Sequence, residues 1–196
     1  RTPIINEIHA NYAKRNVEFP KMLWHRARPM VWRAEDLSGY APRIVGENVE
    51  LLKILNERLR GLDQELAGRA AQDAQAKRLV TIPGVGCVTA VAVSSSVGDV
   101  RRFSNAKKLY SYFGVAPRVK QSADRESHGH ITKEGNRMVR WLLLQAALSH
   151  IRFFMGPGRQ HYLGVLKRRG KQIARVAVAR KLLGIMFHMM KEEIDY

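Results

Sequence analysis

A chain of 196 residues with 45% hydrophobic content and seven prolines can bury one substantial core or two small ones, and it is too apolar for wholesale disorder. Its 34 lysines and arginines face 17 acids, a formal charge of +17. A compact state with that surplus repels itself unless a polyanion neutralises it, so nucleic acid is the expected partner and a membrane surface the rival. No apolar run long enough to span a bilayer and no signal-peptide pattern is found, which argues against a membrane role and for a cytoplasmic protein. The single Cys87 excludes an internal disulfide and a cysteine-rich zinc site. The sequence starts at Arg1 without an initiator Met, as a fragment of a longer chain would.

In chain order, the first expected element is a short helix over Pro3–Asn16, with Ile4, Ile5, Ile8 and Tyr12 on one side. An irregular stretch holding Trp24, Pro29, Trp32 and Gly39 follows. From Ala41 to Ala70, Val45, Asn48, Leu52, Leu55, Leu59, Leu62 and Leu66 alternate spacings of three and four, a heptad seam with one polar position. That seam predicts self-association through residues 41–70 as a coiled coil. The alternative is one arm of a monomeric helical hairpin, and Gly46, Gly61 and Gly68 weaken an extended coiled coil. Residues 71–80 extend the helix as far as the breaker Pro83-Gly84-Val85-Gly86. Further helices are expected at Cys87–Val97, stopped by Gly98 and Asp99, and from an N-cap at Ser104 through Tyr112, ended by Gly114.

Residues 116–131 are polar, basic and without period, hence a loop or a small hairpin. Apolar periodicity returns over Asn136–Phe153 at Met138, Leu142, Ala146 and Leu148. Beyond Gly156-Pro157-Gly158, helices over Gln160–Arg169 and Lys171–Lys191 complete the chain. The expected fold is mainly α: an N-terminal helical segment (1–40), a long helical linker (41–78), and a helix-hairpin-helix-containing helical domain with one basic loop or small hairpin (79–196). Charge is uneven along it. Between Arg101 and Arg180 stand 18 lysines or arginines against Asp124, Glu126 and Glu134, which points to one polyanion-binding region.

Two constellations can carry chemistry. In Leu79 to Ala90 one helix ends at a Pro-Gly turn and another starts at once, so amides of Gly84, Val85, Gly86 and the following turn, up to Thr89, can meet phosphate oxygens. A tight turn that serves packing alone is the bland reading of the same residues. The second constellation is Phe113-Gly114-Val115-Ala116-Pro117-Arg118-Val119-Lys120-Gln121-Ser122-Ala123-Asp124-Arg125, followed by Gly129-His130-Ile131-Thr132-Lys133-Glu134-Gly135-Asn136-Arg137. Among smaller candidates, Tyr110 and Tyr112 read as packing beside Leu109 and Phe113, Cys87 as a buried thiol, Lys167, Arg168, Arg169 and Lys171 as a solvated basic run, and His161 and His188 as lacking metal-ligand companions.

The sequence Ile82-Pro83-Gly84-Val85-Gly86, then Gly98-Asp99 with Arg102-Phe103, then Tyr112 to Pro117, then Gly-x-Ile-x-Lys-x-Gly-Asn-Arg at 129–137, resembles the C-terminal domain of insertion-sequence transposases of the IS-one-ten and IS-eleven-eleven type. The resemblance spans Leu79 to about Leu148. It implies a recombinase in two parts. An RNase H-like domain carries four metal-binding carboxylates, and the C-terminal domain supplies a serine that attacks DNA phosphate, with a structured RNA guiding target choice. The matching serine is Ser122, followed by Ala123 where the family has glycine.

A serine hydroxyl needs a base or a metal to take its proton while charge gathers on phosphate oxygens. Arg118, Lys120 and Arg125 flank Ser122 and can stabilise that charge, and His128 and His130 can accept a proton or donate to phosphate. Lys133, Asn136, Arg137 and Arg140 complete the expected nucleic-acid contacts. Glu47, Glu50, Glu57, Asp63 and Glu65 lie along the heptad helix and converge on nothing, so no metal site is expected in this chain; Mg²⁺ belongs with the carboxylate domain. Expected partners are DNA and a guide RNA, in a bacterial, nucleoid-associated setting. The rivals are a non-enzymatic helix-hairpin-helix binding module and a decayed transposase remnant.

Overall fold

The computed structural model describes residues 1–18, 37–122 and 125–196, with backbone alone for 119–122 and 125–128. Trp24, Pro29 and Trp32 of the expected irregular stretch lie outside the described residues; Gly39, within them, is in a turn. As predicted, the described chain is mainly α, with one two-stranded antiparallel sheet. It divides into two compact units, Arg1–Gln64 and Glu65–Tyr196.

In the first unit, Ile8 and Tyr12 of α1 (Thr2–Ala13) pack with Leu37, Ala41, Val45, Val49 and Leu52 into one apolar cluster. Four of these lie on α2 (Ala41–Gln72), which runs unbroken through Gly46, Gly61 and Gly68. Each such glycine costs about 1 kcal/mol relative to alanine, so packing holds this helix as much as propensity does. The start of the heptad seam is therefore occupied within the chain: Val45 and Leu52 are buried, whereas Leu59 and Leu62 are 45% and 55% exposed.

The second unit opens with a correction. Of the residues 71–80, only Ala71 and Gln72 prolong α2, because Asp73 begins a new helix, α3 (Ala74–Val80). Its carboxylate accepts from the amides of Gln75 at 2.9 Å and Ala76 at 3.2 Å, and from the hydroxyl of Ser94 on α4 (Cys87–Val97). One side chain thus caps α3 and ties it to α4. Asp73→Ala is expected to cost about 1 to 2 kcal/mol, seen as a lower urea midpoint at unchanged slope. An unmoved midpoint would remove the cap from the energetics.

Helix α4 spans the predicted residues and stops at Gly98 (φ +59°), after which Asp99 caps a 3-10 turn (Val100–Arg102) by accepting from the Arg101 amide at 2.9 Å. Ser104 is not the N-cap of α5 (Ala106–Tyr112). Asn105 is, its Oδ1 accepting from the Lys108 amide at 3.1 Å, because the capping oxygen must sit one residue before the first helical position to reach that amide.

The basic segment forms the small hairpin of β1 (Pro117–Ser122) and β2 (Arg125–Ile131), with Ser122 opposite Arg125 and a register irregularity between Pro117 and Val119. α6 (Arg137–Phe153) buries Val139, Leu142, Leu143, Ala146, Ala147 and His150. Met138, expected on that face, is 60% exposed: the buried stripe starts one residue later. α7 (Pro157–Glu192) covers both last predicted helices, which meet at Gly170 (φ 80°, ψ 172°). Its second half is the centre of the core. Ala174, Val178, Ala179, Leu182, Leu183, Met186, Phe187 and Met190 form a wide apolar stripe, and α3, α5, α6 and the 3-10 turn pack against α7. Cys87 is half-buried at the edge of this core.

Candidate nucleic-acid interface

The turn between α3 and α4 is held from two sides. His150, 2% exposed, donates from Nδ1 to the Pro83 carbonyl at 2.7 Å; a carbonyl only accepts, so Nδ1 carries the proton. The Tyr196 amide donates to the Thr81 hydroxyl at 3.0 Å. Gly84 has φ +92°, and a Cβ there would stand 2.6 Å from the His150 amide nitrogen and 3.0 Å from the Ala146 carbonyl oxygen. Its lack of a side chain lets the turn reach α6, a packing demand and not a ligand's.

Val85 is 5% exposed and its amide donates to the Ile82 carbonyl at 3.0 Å; Thr89 is 7% exposed. Neither side chain lines a surface. Gly86 is the position no packing explains: a Cβ there would meet nothing within 4 Å. It caps α4 with no side-chain acceptor, which leaves the first-turn amides to water or an anion.

The second constellation closes on itself at the root of the hairpin. Gly114 (φ +64°) and Gly135 (φ +73°) interlock: a Cβ on Gly114 would overlap the Glu134 backbone, and one on Gly135 would overlap the Tyr112 carbonyl oxygen. The Lys133 amide donates to the Gly114 carbonyl at 3.1 Å, and the Thr132 amide to that of Ala116 at 2.9 Å. Arg140 then spans both loops, one guanidinium nitrogen donating to the carbonyls of Phe113 at 3.2 Å and Glu134 at 2.8 Å. Asn136 spends its side-chain oxygen capping α6, accepting from the amides of Met138 and Val139. Arg140 therefore braces the root of β1 and β2, and Asn136 starts α6.

Other expected residues remain on the surface. Arg118 is exposed and donates to the Thr132 carbonyl at 3.4 Å; Lys133, Arg137 and His130 are exposed. For Ser122, Lys120, Arg125 and His128 the structure gives backbone position alone, with Ser122 ending β1 and Arg125 starting β2. On α7, Lys167, Arg168, Arg169 and Lys171 are all exposed. Partial burial, then the positive field of Lys181 and Arg168, hold the His161 imidazole below its ordinary pKa. His188 is paired with Glu192 at 3.1 Å. The Tyr112 hydroxyl donates to the Ser96 carbonyl at 3.1 Å and Arg102 sits 4.8 Å above its ring, a packing role. Among the described residues, no three His, Cys, Asp or Glu side chains converge as a metal would need, and no helix is long and apolar enough to cross a membrane. One surface residue escaped the sequence reading: Trp141, 58% exposed, one helical turn after Arg137. The phase of the buried α6 stripe was the signal that could have found it.

The second unit thus combines exposed cationic side chains, a helix N-terminus without a side-chain cap and a hairpin whose root is braced by Arg140. The sequence model of the Transposase IS116/IS110/IS902 family matches residues 76–163. The transposase for insertion sequence element IS1111A of Coxiella burnetii is 29% identical over 204 residues, covering 100% of this chain and 56% of the relative. A probable family 20 transposase of Pseudomonas aeruginosa is 29% identical over 148 residues (74% and 44%). A pilin gene-inverting protein of Moraxella bovis is 31% identical over 121 residues (60% and 37%). The chain spans about half the length of the curated relatives it matches.

Proposed function

We propose that this chain is the C-terminal, DNA-contacting part of an insertion-sequence transposase and supplies Ser122 as the nucleophile of strand exchange. One observation carries the reading: the family match over residues 76–163 overlaps the stretch from Arg101 to Arg180, which holds most of the chain's surplus positive charge. In the proposed step the Ser122 hydroxyl oxygen attacks a DNA phosphorus. One P–O ester bond forms, the bond to a sugar oxygen breaks, and that oxygen takes up a proton as the serine loses one. Ester replaces ester, so no external energy source is needed. Cations at 118, 120 and 125 stabilise the charge that gathers on the phosphate. A structured RNA as guide and a nucleoid-associated, cytoplasmic setting accompany this reading.

The acids along α2 converge on nothing, so the chain by itself should hold DNA without joining it. Its duplex affinity should fall steeply with salt, by about a thousandfold between 50 and 200 mM for six phosphate contacts, because each neutralised phosphate releases condensed counterion. Fluorescence anisotropy of a labelled duplex measures this. A flat salt response contradicts the phosphate-contact reading, and covalent joining by the isolated chain with Mg²⁺ contradicts the division of labour. The exposed Leu59 and Leu62 support self-association along α2. Leu59→Glu with Leu62→Glu should then leave a monomer by sedimentation, and an unchanged oligomer would discard the seam.

A further inference from the structure

The α6 surface turned away from the core has a composition that neither the serine chemistry nor the hairpin root uses. Trp141 is 58% and Met138 60% exposed. Arg137 lies one turn before Trp141 on the same face and Gln145 one turn after it, both exposed, and exposed Arg152 continues the stripe. From Arg137 to Arg152 the helix rises about 22 Å, the reach of several nucleotides. α6 holds no Asp or Glu; the nearest preceding acid, exposed Glu134, stands before the Asn136 cap. Between Arg137 and Arg152, Met138 and Trp141 are the exposed large apolar side chains. An apolar partner protein would need a contiguous patch, which this stripe interrupts with guanidinium and amide groups.

We propose that this α6 face binds single-stranded DNA, with an unpaired base stacked on the Trp141 indole and neighbouring phosphates neutralised by Arg137 and Arg152. The proposal rests on the DNA-binding reading above and deepens it. An indole offers a base a flat surface with no sequence demand, and flanking guanidiniums supply the backbone contacts such sites combine with stacking. Duplex DNA cannot use the ring in this way, because its base faces are already covered by their neighbours. The face therefore distinguishes melted from paired DNA, as a strand-exchanging protein must.

The test uses the whole chain with labelled twelve-nucleotide oligothymidylate, oligouridylate and a duplex. Trp141→Ala should weaken oligothymidylate binding by about tenfold, leave duplex affinity unchanged, and be largely rescued by Trp141→Phe. In a Trp24→Phe, Trp32→Phe background, the remaining tryptophan emission should be quenched by oligothymidylate and not by the duplex. An unchanged oligothymidylate affinity, an equal loss for duplex, or binding confined to oligouridylate each overturns the proposal. If duplex binding persists with its salt dependence while Trp141→Ala is silent, this inference alone fails. If neither duplex nor single strand binds, the DNA-binding reading fails with it.

Discussion

Replacing Gly135 with alanine is expected to destabilise the second unit by about 2 to 5 kcal/mol, the sum of a left-handed backbone penalty and an overpacked contact. Gly135 has φ +73°, and the added methyl would overlap the Tyr112 carbonyl oxygen. That oxygen belongs to the end of a helix and has no flexible side chain to move aside. Relief would have to separate the 112–116 and 132–136 loops. Such separation breaks the Lys133-to-Gly114 and Thr132-to-Ala116 hydrogen bonds and withdraws an acceptor from Arg140. The melting temperature should drop by about 10 °C. Gly164→Ala provides the contrast: that glycine is exposed in α7 and a Cβ there meets nothing within 4 Å, so the same change should stabilise by about 0.5 to 1 kcal/mol. Equal melting of Gly135→Ala and wild type would refute the interlocked root.

On the proposed reading, removing the hydroxyl of Ser122 in the full-length protein should lower strand exchange by roughly a thousandfold or more, since the proposed phosphoester then has no attacking oxygen. Binding of duplex DNA should be unaffected, because the cations at 118, 120, 125, 133 and 137 remain. Ser127→Ala, five residues away on the opposite strand of the hairpin, is the matched control and should recombine normally. A trapped covalent adduct between protein and DNA should vanish with Ser122→Ala and persist with Ser127→Ala. Normal recombination by Ser122→Ala would leave the binding-module alternative standing in place of the enzyme.

Most helices could be read from the sequence because they rest on local rules. The α4 span, the stop at Gly98 and Asp99, and the break at Gly170 each follow from spacing or from a residue type with a strong conformational preference. The errors fall where two local solutions compete. Asp73 prefers to cap a new helix while its neighbours favour continuing the old one, and the Ser94 hydroxyl decides the matter from 21 residues away. Ser104 and Asn105 are both good caps, and the packing of Leu109 against the core sets which one is in phase. Met138 and Val139 are both apolar, and only contact with α7 shows which side of α6 turns inward.

The sequence by itself determined the mainly helical class, the concentration of positive charge after residue 100, and the ordered motifs that resemble those of insertion-sequence transposases, because composition, period and motif order need no partner in space. Tertiary structure alone decided what those motif residues do. Gly84, Gly114 and Gly135 are required by backbone approaching from distant parts of the chain, Arg140 braces the hairpin root and Asn136 caps α6. Trp141 is left in solvent because the α6 stripe that meets α7 begins at Val139. Which face a residue presents, and whether its hydrogen-bonding groups are already spent, depends on contacts between residues far apart in the chain.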